Sequence, residues 1–222
     1  RFSIEWARVE PEEGAFSQAA LDHYRRVIDA CWRRDVRPIA TFHHFTNPRW
    51  VAREGGWAVD GIADRFARYC ERTAQALAGE LAYACTINEI NIPDAIADLV
   101  AFGRHAHPES AEAAERALGA PLDGMFLFAG GRGFAERALA AHVKAREAIK
   151  AAAPHVPVGM TLSLQEVEAE GSAASEAAAK AYVEMAHTPY YETVKGDDFL
   201  GVQTYTRVRF SADGHQMHGP PE

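Results

Sequence analysis

An α/β fold with parallel strands wound toward a barrel is what this sequence predicts, and three observations carry it. Short runs rich in strand formers alternate with amphipathic helical stretches, giving five strands with a helix after each of the first four. Alternation of this kind implies parallel strands joined by right-handed crossovers. No glycine-rich turn follows any strand, so the dinucleotide site of an open, doubly wound sheet has no support. Polar and aromatic residues gather instead at the ends of several strands: His43-His44, Asn88-Glu89, and Gln203 with Tyr205. That distribution suits a barrel mouth, where chemistry is assembled from many strands.

Taken in order, Arg1–Trp6 alternates, with Phe2, Ile4 and Trp6 on one face and Arg1, Ser3 and Glu5 on the other. Pro11, Glu13 and Gly14 make a turn. Ser17 is placed to cap a helix whose apolar spacing runs Leu21, Tyr24, Val27, Ile28 and Cys31. Val36–His43 reads as the second strand, and Pro48 with Gly55-Gly56-Trp57 as a loop. Trp57 fits either a packing anchor or a pocket wall. A long helix follows, with Ile62, Phe66, Tyr69, Cys70, Thr73 and Leu77 on one side and Gly79 at its end. Beyond the third strand, residues 90–133 show no clean period apart from an Ala/Glu-rich helix at Ser110–Leu118. Gly130-Gly131-Arg132-Gly133 lacks phosphate-loop spacing and reads as a hinge or turn. Phe134–Ala153 is an amphipathic helix stopped by Pro154, Val156–Leu164 a strand, Ser172–Ala186 an Ala-rich helix, and Asp198–Thr206 the last clear strand.

The stretch Leu81–Pro93 concentrates the chemistry. Its apolar run Leu81–Ile87 reads as a buried parallel strand and ends abruptly in Asn88-Glu89. A carboxyl group at a barrel mouth, partly desolvated by apolar walls, holds its proton more tightly, as a general acid must. The plainer alternative is that Glu89 caps the next helix, a task open to Asp94 as well.

Composition narrows the class. With 222 residues and 48% hydrophobic content the chain can bury a sizeable core. A formal net charge of -8 argues against a nucleic-acid surface. Cys31, Cys70 and Cys85 cannot all pair and show no metal-binding spacing, so free thiols in a reducing, cytoplasmic compartment are expected. No run approaches a transmembrane length, and no membrane partner is expected. No signal peptide is visible, which weighs little in a chain that starts at Arg1. Arg1–Trp6 already reads as strand and Gly214–Glu222 stops in a loop, so the middle of a longer protein is expected.

The residues that carry a family resemblance span nearly the whole chain. They are RFSIEWARVEP at 1–11, LDHYRRVIDAC at 21–31, RPIATFHHFTNPRW at 37–50, GGW at 55–57, TINEINIP at 86–93 and DDFLGVQTYT at 197–206. In this order they resemble glycoside hydrolase family 1, the β-glucosidase-like retaining enzymes built on a (β/α)8 TIM barrel. The resemblance implies that Glu89 is the acid/base, that Asn88 binds the sugar 2-hydroxyl and that His44 contacts the 3-hydroxyl. It further implies that Arg1 lies beside the nucleophile and that Tyr205 hydrogen-bonds the nucleophile carboxylate.

Several positions depart from the pattern. Ile90 replaces the usual Pro, Phe45 a Trp that would bring an indole N–H, and Gln203-Thr204 an Asn-Tyr pair. The family's Thr-Glu-Asn-Gly motif with the nucleophile Glu does not occur, and Glu109, Glu166 and Glu168 sit in surface-like stretches that make poor stand-ins. The expectation is a single incomplete barrel domain over residues 1–222, roughly strands two to six of eight, with two unpaired sheet edges prone to association.

The implied activity is hydrolysis of O-linked β-glycosides by double displacement, with the nucleophile outside this chain and no metal or organic cofactor. By itself the chain is expected to be inactive. A 6-phospho-β-glycosidase of the same family and a non-catalytic sugar-binding barrel are the alternatives. The expected partner is a small β-glycoside or oligosaccharide, with a homo-oligomer possible for such barrels.

Overall fold

The computed structural model describes residues 1–131 and 133–217. Arg132 of the glycine cluster and residues 218–222 of the closing loop lie outside the described residues.

Five strands form the main sheet: β1 (Phe2–Ser3), β2 (Ile39–His43), β3 (Tyr83–Ile87), β4 (Val158–Ser163) and β6 (Phe199–Gln203). All neighbouring pairs are parallel, and their order in space is their order in sequence. An order that never reverses has no switch point, so this is the winding of a barrel wall and not of a doubly wound sheet. The fold is α/β, a partial barrel whose ends in strand order are β1 and β6. On β6, Leu200 and Val202 are exposed.

Helices follow the first four strands of this sheet, as the alternation predicted. Ser17 caps Gln18–Trp32, its hydroxyl accepting the Ala20 N–H at 3.2 Å, and Leu21, Tyr24 and Ile28 are buried. Ile62–Leu77 buries all six residues of its predicted stripe. Phe134–Ala152 lies against it with Ala138, Ala141 and Ala145 fully buried, small side chains that let two helices approach closely. Trp6 anchors the core, stacked on Tyr69 at 5.1 Å and edge-on to Trp50 at 6.1 Å. Its indole N–H is satisfied by the buried Glu10 carboxylate at 2.8 Å, and Arg68 pairs with Glu10 at the same distance.

The structure corrects the element readings in four places. Only Phe2–Ser3 pairs as strand, because Trp6 already begins the short helix Trp6–Val9, whose first turn is capped by Glu5. The loop after β2 holds the helix Arg49–Arg53 and a 3₁₀ turn at Gly56–Ala58. The region after β3 is largely helical: Ile92–Ala95, Ala97–Ala106 and Pro108–Leu118. Ala97–Ala106 buries no residue and so carries no apolar stripe for a periodicity reading to find, whereas Pro108–Leu118 is the Ala/Glu-rich helix expected at Ser110–Leu118.

A second sheet completes the corrections. It is formed by β5 (Glu166–Ala169), β7 (Arg207–Phe210) and β8 (Gln216–Met217). The stretch holding Glu166 and Glu168 is therefore strand, its exposed face tied by Arg207–Glu166, Arg207–Glu168 and Arg209–Glu168 ion pairs at 3.0–3.4 Å. Its other face buries Val208 and Phe210 against Tyr182 and Ala186.

All three cysteines are free thiols, two of them buried, and burial pushes the Cys85 thiol up to about 11. Trp57 is a packing anchor: it is fully buried, 4.8 Å from His43 and 4.9 Å from Phe126. His43, the last residue of β2, is buried among Trp57, Phe66 and Phe126. Neither ring nitrogen has a partner among the described residues. Burial, with the neighbouring His44, lowers its pKa to about 3.

Between pH 6.5 and about 3 the unfolded chain therefore takes up a proton that the native protein refuses, and native stability falls as pH falls. His43→Leu should remove this sensitivity. Urea midpoints at pH 7 and pH 5 should show the wild type losing about 2 kcal/mol more than the variant. Parallel pH profiles for the two proteins would contradict the assignment.

Candidate active site

At the end of β3 the ladder continues for one residue, Asn88 N–H donating to the His43 carbonyl at 2.9 Å. The chain then turns sharply at Glu89, which has φ = 44°, a left-handed conformation that side chains other than Gly seldom adopt. Three contacts from β4 hold it there. Glu89 N–H donates to Thr161 Oγ1 at 2.8 Å, and Ile90 N–H donates to the Thr161 carbonyl at 3.0 Å. The Asn91 side chain grips Ser163 by both its N–H and its C=O, at 2.8 and 2.7 Å, and donates again to the Ala186 carbonyl at 2.9 Å. Ile90, standing where the resembled pattern has a Pro, thus uses an N–H that a Pro lacks.

The helix Ile92–Ala95 that follows has no side-chain cap, so neither Glu89 nor Asp94 plays the capping role. Asp94 instead lies inside that helix. Its carboxyl accepts from Gly131 N–H and the Tyr190 hydroxyl, each at 2.9 Å, and burial raises its pKa.

Glu89 is 5% exposed. The Tyr205 hydroxyl lies 2.5 Å from its Oε1 and 2.9 Å from Gln203 Oε1, and it has one proton to give. The bond to Glu89 raises the Tyr205 pKa, because a phenolate beside a carboxylate would lose the bond and meet a like charge. Arg1 donates to Asn88 Oδ1 and, at 2.9 Å, to Thr41 Oγ1. Gln203 Nε2 donates to Asn88 Oδ1 at 3.0 Å and to Thr161 Oγ1 at 3.1 Å.

His44 follows directly on β2, its Nδ1 2.8 Å from Ser3 Oγ on β1. Burial and the Arg1 charge lower its pKa against an opposing pull from Glu89. The ring is therefore neutral near pH 7, able to offer one donor and one acceptor.

Of the sequence-predicted residues, Glu89, Asn88, Arg1 and Tyr205 meet in one hydrogen-bonded network, and His44 stands at its border. Tyr205 and Arg1, expected to serve a carboxylate on a later strand, here engage Glu89 and Asn88. The sequence reading assigns no role to Thr161, Thr41, Ser3 and Asn91, and it places Gln203 with Tyr205 at the barrel mouth without a partner. Thr161 and Ser163 were visible as polar interruptions in an apolar strand, a signal that fits a polar barrel interior. Beside Tyr205 opens a cleft of about 350 Å3, with Ile92, Ile96, Leu99, Tyr182 and Val208 in its walls. Among the described residues no group of three or more His, Cys, Asp or Glu side chains converges as metal ligands would.

The family model of Glycosyl hydrolase family 1 matches residues 1–209. The chain belongs to this family. A β-glucosidase from Agrobacterium sp. (strain ATCC 21400) is 30% identical over 185 residues, covering 82% of this chain and 36% of that enzyme. The human cytosolic β-glucosidase is 32% identical over 94 residues, 41% of this chain and 20% of that protein. The crystal structure of the β-glycosidase BGL167 superposes with a TM-score of 0.87 at 38% identity, covering 99% of this chain and 53% of that one. The chain thus spans about a third of the length of the Agrobacterium enzyme and about half of the crystallised one. For the family 1 fold, the five-stranded wall described above is a partial barrel. No helix among the described residues is long and apolar enough to cross a membrane.

Proposed function

We propose that this chain carries the acid/base half of a retaining β-glycosidase of the β-glucosidase type, acting on small β-linked glucosides or oligosaccharides. The observation that carries this reading is the placing of Glu89. Its nearly buried carboxyl group ends a barrel strand beside an amide whose oxygen is already occupied. Glu89 protonates the glycosidic oxygen as the bond breaks, then takes a proton from the water that releases the sugar. Double displacement needs a second carboxylate about 5–5.5 Å away, and that nucleophile lies outside this chain.

Asn88 donates to the sugar 2-hydroxyl, a bond that strengthens in the transition state. His44 contacts the 3-hydroxyl, and Arg1 and Tyr205 turn toward the nucleophile and keep it anionic. The cleft beside Tyr205, walled by Ile92, Leu99 and Val208 together with Asp98, Gln165 and Arg207, suits the leaving group. The reaction needs no metal or organic cofactor, and residues 1–222 form part of one catalytic domain. Three free thiols and the cytosolic human relative support a cytoplasmic site of action in carbohydrate metabolism.

The test is hydrolysis of 4-nitrophenyl β-glucoside by the complete protein, followed by proton NMR. The β-anomer of the free sugar should form first and only later mutarotate. First formation of the α-anomer would exclude double displacement. Binding without turnover would leave a sugar-binding barrel.

A further inference from the structure

Thr161 stands in the middle of β4, 5% exposed, on a strand that the catalytic reading does not use. A hydroxyl has one proton and two lone pairs, and all three are spoken for here. The proton goes to Asn88 Oδ1 at 3.3 Å, while the lone pairs take Glu89 N–H at 2.8 Å and Gln203 Nε2 at 3.1 Å. One side chain thus touches the backbone of the proposed acid/base, the amide beside it and the glutamine of the next strand.

Asn88 is the group whose direction this decides. An amide presents an acceptor at one end and two donors at the other, and the two ends have nearly the same shape. Three donors meet its Oδ1: Arg1, Thr161 and Gln203. Turning the amide over would set its NH2 against a guanidinium that can only donate. As found, the NH2 is the end left to give a hydrogen bond to a ligand. In the proposed complete site Arg1 also faces the nucleophile, which leaves Thr161 and Gln203 as the donors dedicated to Asn88.

We infer that Thr161 is a positioning residue, which through its hydroxyl holds the Asn88 amide with its NH2 toward the sugar 2-hydroxyl. The inference rests on the reading of the site as a retaining β-glycosidase. It goes beyond that reading by placing part of the 2-hydroxyl recognition on a side chain that never meets the substrate.

The experiment compares Thr161→Val and Thr161→Ser in the complete protein, using 2,4-dinitrophenyl β-glucoside and its 2-deoxy analogue. That leaving group departs without a proton, so kcat/KM reads the sugar contacts with little demand on Glu89. Thr161→Val should lower kcat/KM at least ~10-fold on the parent and no more than ~3-fold on the 2-deoxy analogue. Thr161→Ser, which keeps the hydroxyl, should stay within ~3-fold of wild type on both substrates.

Equal losses on the two substrates would mean general damage to the fold and would overturn the inference. So would a serine variant as impaired as the valine variant, or a valine variant with no loss. A wild-type protein that hydrolyses neither glycoside would refute the parent reading and the inference together, an outcome distinct from a failure of Thr161 alone.

Discussion

Glu89→Gln is expected to lower kcat/KM for methyl or 4-nitrophenyl β-glucoside by ~10²–10⁴-fold in the complete protein. The amide keeps the size of the side chain but has no proton of suitable acidity to give. The 2,4-dinitrophenyl glucoside, whose leaving group departs as a stable anion, should lose far less in kcat/KM. Its kcat should still fall, because the second step needs a base to activate water and glutamine is none. The split between leaving groups separates an acid from a residue that merely binds. An equal loss on every leaving group would remove Glu89 from the acid role, and the Asn88-Glu89 pair would then read as a sugar clamp.

Asn91→Ala is expected to cost on the order of 3 kcal/mol of stability, although Asn91 touches no substrate in the proposed reaction. The side chain is fully buried and makes three hydrogen bonds, to Ser163 N–H, Ser163 C=O and Ala186 C=O. Its loss leaves one donor and two acceptors buried without partners, each dearer unmade than it was worth made. Asn91→Asp should be at least as damaging near neutral pH. A carboxylate would still accept from Ser163 N–H but would face two carbonyl oxygens with no proton between them, as a buried charge. Urea denaturation of the three proteins at pH 7 checks this, and a change below ~0.5 kcal/mol in both variants would refute it. Because Asn91 lies two residues beyond Glu89, either variant should also blunt activity.

The wall of the fold was legible because its signals are long and redundant. Ile62–Leu77 shows a stripe repeated over four turns, and the strands around Phe42, Cys85 and Met160 are apolar runs of the right length. What escaped was structure stabilised without an apolar stripe. Ala97–Ala106 buries nothing, and β5 with β7 reads as charged loop until Glu166, Glu168, Arg207 and Arg209 are seen to pair across strands. In the site, the groups at strand ends were readable from residue type and position. Their supports were less so, since a polar residue inside an apolar strand marks Thr161 without telling what it holds. Its meaning comes from Asn88 and Gln203, 73 and 42 residues away in the chain.

Those separations bear on how the protein comes to be active. Arg1 is joined to Asn88 across 87 residues and Tyr205 to Glu89 across 116, with every main-sheet strand parallel to its neighbours. Contacts of such high contact order yield no free energy until the intervening chain has been organised, and all-parallel sheets have no hairpins to start from. The helices can gain their local order early, in microseconds, while the network around Glu89 waits until β1, β2, β3, β4 and β6 are all docked. During refolding, the far-ultraviolet helical signal should therefore recover ahead of catalytic competence. A ribosome that has reached Leu200 has made Arg1, Asn88, Glu89 and Thr161 and still lacks Gln203 and Tyr205, which close the network on Asn88 and Glu89.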